Sequence, residues 1–312
     1  MSKAILDIHY EYNWNPLVGC LQSLLRAEGL PHDAARVSAV SGEAFRVVVP
    51  PLSVDGVAFL GGVVVPRDFA RLAADLALLG LRARVDVWDL RSGRPLLLGR
   101  RVGRGLRRAL GAGHAVAAYG SVGNGFGLLV GFDKERRAYR VRGPLTEETG
   151  GWLSVDRLPA ADADWLALVV AEGVAAGGVA SVDRLARRAG EHCAEARADE
   201  ALREWMAVLR SDVEIDAPGH AQSAQALAAA AGEASRFWRG CAEGGVAWVA
   251  PVVEPAAQLA LAYSRFATLF PYPAGGDVLG GGREAGARAL ASAGGVAGEV
   301  AERARELPGA AR

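Results

Sequence analysis

The sequence is poor in lysine, methionine, cysteine and net charge, and each shortage excludes something. Lysine occurs only at Lys3 and Lys134, and 35 Lys plus Arg stand against 35 Asp plus Glu, so the formal charge is zero. A neutral chain has no overall basic field to draw in nucleic acid or an anionic lipid surface. Partners must be selected by shape and local chemistry. Three cysteines, Cys20, Cys193 and Cys241, lie far apart with no Cys-x-x-Cys among them. That argues against a disulfide scaffold and a structural zinc site and suits a reducing cytoplasm. The opening MSKAILDIHYEYNW lacks the apolar stretch of a signal peptide, so a cytoplasmic chain is expected. The longest uncharged run, residues 114–132, is interrupted by Gly120, Ser121, Gly123, Asn124, Gly125 and Gly127. It reads as a turn between two strands rather than a membrane span.

What the chain does have is apolar mass. Of 312 residues, 51% are hydrophobic, enough for a sizeable core and two domains. The first half alternates Val/Leu-rich runs with helical patterns, as an α+β domain does. A helix is expected over 17–28 after Pro16, others over 32–40, 66–79 and 102–110, and strands over 45–49, 57–60, 83–87, 115–119, 127–132, 138–142 and 165–170. The last strands form a curled antiparallel sheet. Composition changes near Ala171, and the small-residue stretch 172–181 reads as a linker. Beyond it, Ala, Leu, Arg and Glu at helical spacing predict helices over 182–194, 199–210, 221–241, 255–270 and 285–307, a helical bundle spanning 182–312.

Cys20 is the residue with the clearest chemical potential. A thiol in the first turn of a helix feels the helix dipole and unpaired amides, both of which favour the thiolate. Asn13 and Asn15, just upstream, carry amides able to donate to a developing oxyanion. The opposing expectation is a small buried residue among Leu and Val.

The segment Asn15, Val18-Gly19-Cys20 and the helix LQSLLRAEG resemble the nucleophile helix of papain-like thiol proteins. They are most similar to the bacteriocin-leader peptidases and the butirosin biosynthesis protein H N-terminal family. Downstream, LRRALGAGHAVAAY, GLLVGFD, AYRVRGP and a Trp-Leu-Ser-Val-Asp segment resemble that family's helix and paired strands, so the likeness covers roughly residues 10–170. It implies a papain-like domain over 1–171. Several catalytic positions depart from the pattern. The family's general-base histidine falls on Gly125, its orienting Asp or Asn on Arg142-Gly143-Pro144, and its glutamine on Trp14 between Asn13 and Asn15. In a second register His114 is the base, with Asn124 or Asp133 to orient it; His9, on one face with Asp7, is a further candidate.

Two functions are therefore expected as alternatives. One is a degenerate papain-like protein, a non-catalytic module that binds a small molecule, peptide or acyl-carrier protein in a cleft at Cys20. The other is a thiol acyltransferase or amidase of specialised metabolism with Cys20 as nucleophile and His114 or His9 as proton shuttle. No cofactor or metal is implied: Glu147-Glu148 and Glu191-His192-Cys193 lack a second pair of ligands. The Gly-rich segments at 120–127 and 280–286 lack the strand–loop–helix setting of a phosphate loop. The basic stretch at 100–108 is a solvated helix face or a docking site for an acidic partner.

Overall fold

A computed structural model describes residues 3–49, 56–59, 69–90, 98–122, 125–144, 151–158, 165–278 and 280–308. The chain is of mixed α+β class and divides into two compact units. One comprises Met1–Val37 with Pro66–Ala180, the other Ser38–Val65 with Ser181–Arg312. The composition change near Ala171 thus falls inside the first unit, and a piece of the N-terminal half belongs to the second.

The first unit runs β1 (Lys3–Ile5), α1 (Pro16–Ala27), α2 (Ala34–Val40), which carries the chain into the second unit, then α3 (Leu72–Leu78), β2 (Leu81–Asp89), α4 (Leu98–Gly111), β3 (Val116–Val122), β4 (Gly125–Asp133), β5 (Ala138–Arg142), β6 (Trp152–Ser154) and β7 (Trp165–Val174). The seven strands form one antiparallel sheet in the order β2-β7-β3-β4-β5-β6, with β1 also paired to β4. The uncharged run at 114–132 is the β3–β4 hairpin. Among the described residues no helix is long and apolar enough to cross a membrane.

The middle strands are buried along nearly their whole length, so both sheet faces must be covered. On one face, Leu98, Val102, Leu106 and Leu110 of α4 cluster with Val116, Ala118, Leu129, Leu166, Leu168 and Val170. Period-two alternation turns Ala117, Leu128, Val130, Ala167 and Val169 the other way, and these are also buried. α1 packs on β3 and β4 outside the α4 cluster. Beyond β7, the amide of Ala175 donates to Gly80 O at 2.6 Å and that of Ala180 to Leu78 O at 2.9 Å. The stretch expected to be a linker is therefore fastened to the α3–β2 turn.

The second unit holds α5 (Val182–Glu195), α6 (Ala198–Arg210), α7 (Ala217–Glu243), α8 (Ala250–Leu269) and α9 (Gly281–Arg305). Two of them start on side-chain caps: Ser181 accepts from the Arg184 amide and Asp216 from the Gly219 amide, each satisfying a donor the helix leaves open. α7 and α8 lie antiparallel, with Gln225 donating to Ala267 O, and α9 packs on both α8 and α6. The Arg283 guanidinium donates to the carbonyls of Ser211, Val213 and Val278, tying the loops at one end together.

The segments at 45–49 and 57–60 were expected as strands because of their Val and Phe content. Among the described residues neither joins a sheet ladder, and Leu60 lies outside them. Glu43–Phe45 is a 3-10 turn, and Ala58 makes an isolated bridge to Ile215. Their apolar side chains serve the helices instead: Phe45 packs on Trp238, and Phe59 on Trp205 and His220. Phe59 reaches that position with φ of 64°, a left-handed conformation that a phenylalanine holds only where packing compensates.

Candidate functional site

α1 begins as its sequence dictates. Asn13 Oδ1 accepts from the Asn15 amide at 2.8 Å, Asn15 Oδ1 accepts from the Leu17 amide at 3.0 Å, and Pro16 occupies the first turn, where a missing N–H costs nothing. The two asparagines are thus a turn former and a helix cap. Cys20 is the fifth helical residue, one turn in rather than within the first turn. Its amide has a partner in the helical pattern, and the dipole has largely decayed by that point.

The sulfur is sealed. Cys20 is 0% exposed, as are Leu21, Leu24 and Leu25 after it. Part of the seal is the segment before α1. Ser23 Oγ accepts from the Glu11 amide and donates to Gly19 O, and the Glu11 carboxylate pairs with Arg26 at 2.9 Å. These bonds lay residues 10–11 across the helix at Gly19. A Cβ there would stand 2.3 Å from Glu11 O and 2.7 Å from Tyr10 Oη, so only glycine allows the crossing. Burial pushes the Cys20 thiol well above its ordinary pKa, with no lowering influence beside it. Burial, and next to it the neighbouring Cys20, also push the Tyr10 phenol up. The thiol is the neutral form, the poor nucleophile.

The proposed helpers lie elsewhere. α4 ends in a turn in which Gly113 has φ of 90° and the His114 amide reaches back to Ala109 O. This sets His114 just before β3, where its Nδ1 stands 3.4 Å from Glu28 Oε1. Glu28 caps the far end of α1. Eight residues at 1.5 Å each put it about 12 Å along the helix from Cys20. His9 and Asp7 do share a side, but it is the exposed one, opposite Tyr10. Asp133 accepts from the amides of Glu135 and Arg136, capping the β4–β5 turn. Asn124 and the Glu147-Glu148 pair lie outside the described residues. Among the described residues, then, a thiolate, a base and an oxyanion donor are not brought together, and no cluster of three or more metal-ligating side chains occurs.

Two features of the second unit went unread in the sequence. His220, in the first turns of α7, is 0% exposed and ringed by Phe59, Trp205, Phe266 and Phe270. Trp205 Nε1 donates to its Nε2 at 3.0 Å, and since indole can only donate, the imidazole proton sits on Nδ1. Burial, then the Arg283 charge, push its pKa down to about 3, so the ring is neutral. The second feature is a small hollow of about 40 Å³ between α7, α8, α9 and the turn at Glu43–Phe45. Its wall includes Ala230, Ala231, Ala234, Ala256, Ala297 and Ala301, with Cys193 and Tyr263 among them. The signal was present in the sequence as alanines at helical spacing on α7 and α9, facing Ala256 of α8.

No family model, curated protein or solved structure matches the chain.

Proposed function

We propose that the protein is a non-catalytic binding protein whose first unit is a degenerate papain-like scaffold, with Cys20 kept as a packing residue. The complete burial of the Cys20 sulfur carries the non-catalytic part of this reading, and the order of the segments that resemble the papain-like family carries the scaffold. A nucleophilic thiol must ionise and meet its substrate, and this one is pushed toward its neutral form and covered by the segment holding Tyr10 and Glu11. The position of His114 adds support, because a base paired to Glu28 cannot take the Cys20 proton without leaving its partner and crossing most of a helix. Asn13 and Asn15, expected to stabilise an oxyanion, use their side-chain oxygens to start α1.

The test is the alkylation of Cys20 by iodoacetamide, followed residue by residue by mass spectrometry from pH 6 to pH 9. The folded protein is expected to react at Cys20 about a hundredfold or more slower than the unfolded chain, with no midpoint below that of an ordinary thiol, near 8.5. Rapid modification with a midpoint near neutrality would overturn the non-catalytic reading and restore the acyltransferase or amidase.

A further inference from the structure

We propose that the hollow between the last turn of α4 and the β4–β5 turn of the first unit binds a small organic dianion, a phosphomonoester on a compact apolar body. The site lies on the α4 face of the sheet and depends neither on the state of Cys20 nor on the papain-like reading.

The hollow measures about 410 Å³, within the range of small-molecule sites. Three cations from separate stretches of chain stand on its wall: Arg107 of α4, and Lys134 and Arg137 at the two ends of the turn joining β4 to β5. All three are exposed, whereas Leu110 on the same wall is buried and Phe132 and Val155 are half-buried. A cationic rim thus surrounds an apolar floor.

The charge of the rim is not balanced from within the chain. Lys134 forms no ion pair or side-chain hydrogen bond among the described residues. Arg107 has no ion pair among them either, and its guanidinium carbon lies 5.6 Å from the centre of the Phe132 ring, an attractive contact that holds the charge at the wall. Arg137 meets Asp156 at 3.5 Å, but both side chains are largely exposed and water screens the pair. Three cations against one carboxylate leave two positive charges, which match a phosphomonoester near neutral pH. Such a group carries both charges at one end, accepts forked hydrogen bonds from arginine, and leaves the rest of the molecule to cover Leu110, Phe132 and Val155.

The surrounding field has the same sign. α4 carries Arg100, Arg101, Arg104, Arg107 and Arg108 with no acidic residue, all exposed and none in an ion pair among the described residues. Elsewhere the chain answers its helical arginines one turn away, as with Arg187 and Asp183, Arg203 and Asp199, and Arg288 and Glu284. The hollow lies by the C-terminal turn of α4, where open carbonyls would repel an anion. Those of Arg108, Ala109 and Leu110 instead accept from the amides of Ala112, His114 and Gly113.

The experiment is a calorimetric titration of the full chain with naphthyl phosphate, inorganic phosphate and naphthol, at about pH 8, where the monoester is a dianion. Naphthyl phosphate is expected to bind saturably at one site, and inorganic phosphate and naphthol each at least about tenfold more weakly, because each lacks one half of the recognition. Lys134→Gln, at an exposed side chain without a partner, and Arg107→Gln are each expected to lower the affinity about tenfold. Arg101→Gln, on the same helix but away from the hollow, is expected to leave it within about twofold. Absence of saturable binding would overturn the proposal, as would affinity unchanged in Lys134→Gln. Inorganic phosphate or naphthol binding as tightly as the monoester would overturn the ligand class. Equal losses in Arg101→Gln and Lys134→Gln would replace the site with a diffuse basic field. Failure here leaves the alkylation result at Cys20 untouched, and the reverse also holds.

Discussion

The first unit buries Cys20 and the second buries Cys193 and Cys241, and Cys20 and Cys193 are buried in different ways. Cys20 and Cys193 are both on helices, both nearly or wholly without exposure, and both have thiols pushed up by burial. Around Cys20, leucines follow on α1 and the Tyr10–Glu11 crossing closes the remaining side, so every gap is taken. Around Cys193 most neighbours across the hollow are alanines, and some space remains. Burial removes a thiol from chemistry in both places, but only the second borders a hollow. A site is defined by unfilled volume and an unmet polar group, and a reactive residue type by itself supplies neither.

The comparison breaks first at Gly19. Gly19→Ala puts a methyl against the Glu11 carbonyl, which is backbone and cannot swing aside. A loss of about 3 kcal/mol or more is expected by urea denaturation, since overpacking against backbone is at the costly end of its range. A loss under about 1 kcal/mol would mean that residues 10–11 are loosely held and the seal over Cys20 is weak.

In the second unit the tight region is the aromatic ring around His220, and it is sharpened by pH. The unfolded state takes up a proton near pH 6.5, whereas the folded imidazole resists it down to about 3. Stability is therefore complete above pH 6.5 and falls as the pH drops toward 3. Linkage at about 1.4 kcal/mol per unit gives a loss of about 2.5 kcal/mol between pH 6 and pH 4 from this residue. His220→Phe should remove that part of the slope, measured by denaturant melts at each pH. Equal slopes in the two proteins would show that the ring is not held dry.

The smallest and most discriminating contrast is a matched pair of substitutions. Cys20→Leu adds volume where none is free, and a cost of about 2 kcal/mol is expected. Cys193→Leu adds the same volume on the wall of a hollow, and a change within about 1 kcal/mol of zero is expected. Thermal melts of both variants decide it; equal costs would erase the difference between the sealed and the open thiol.

Much of the secondary structure was legible along the chain. Pro16 announces the start of α1 and Gly111 the end of α4, because helix ends are local hydrogen-bonding problems with few solutions; α7, expected from 221, starts at Ala217 on the cap of Asp216. The antiparallel strands from β3 to β5 and the five long helices of the second unit follow from periodicity. The segments at 45–49 and 57–60 were misread as strands, since Val and Phe report a need for burial and do not say which element provides it. The candidate site was legible only as a residue type. The pairing of His114 with Glu28 spans 86 residues, and the crossing of Tyr10 and Glu11 over Gly19 depends on a serine twelve positions away.

The amino-acid sequence on its own determined the α+β class, the presence of the long helices, the antiparallel strands from β3 to β5 and the neutrality that removes long-range electrostatic attraction. Tertiary structure decided what filled the space beside each of those elements. Local propensity and capping act over a turn or two of chain, whereas burial, desolvation and vacancy depend on side chains that meet from distant positions. That is why a cysteine one turn into a helix became sealed packing, and why small residues on facing helices left a hollow.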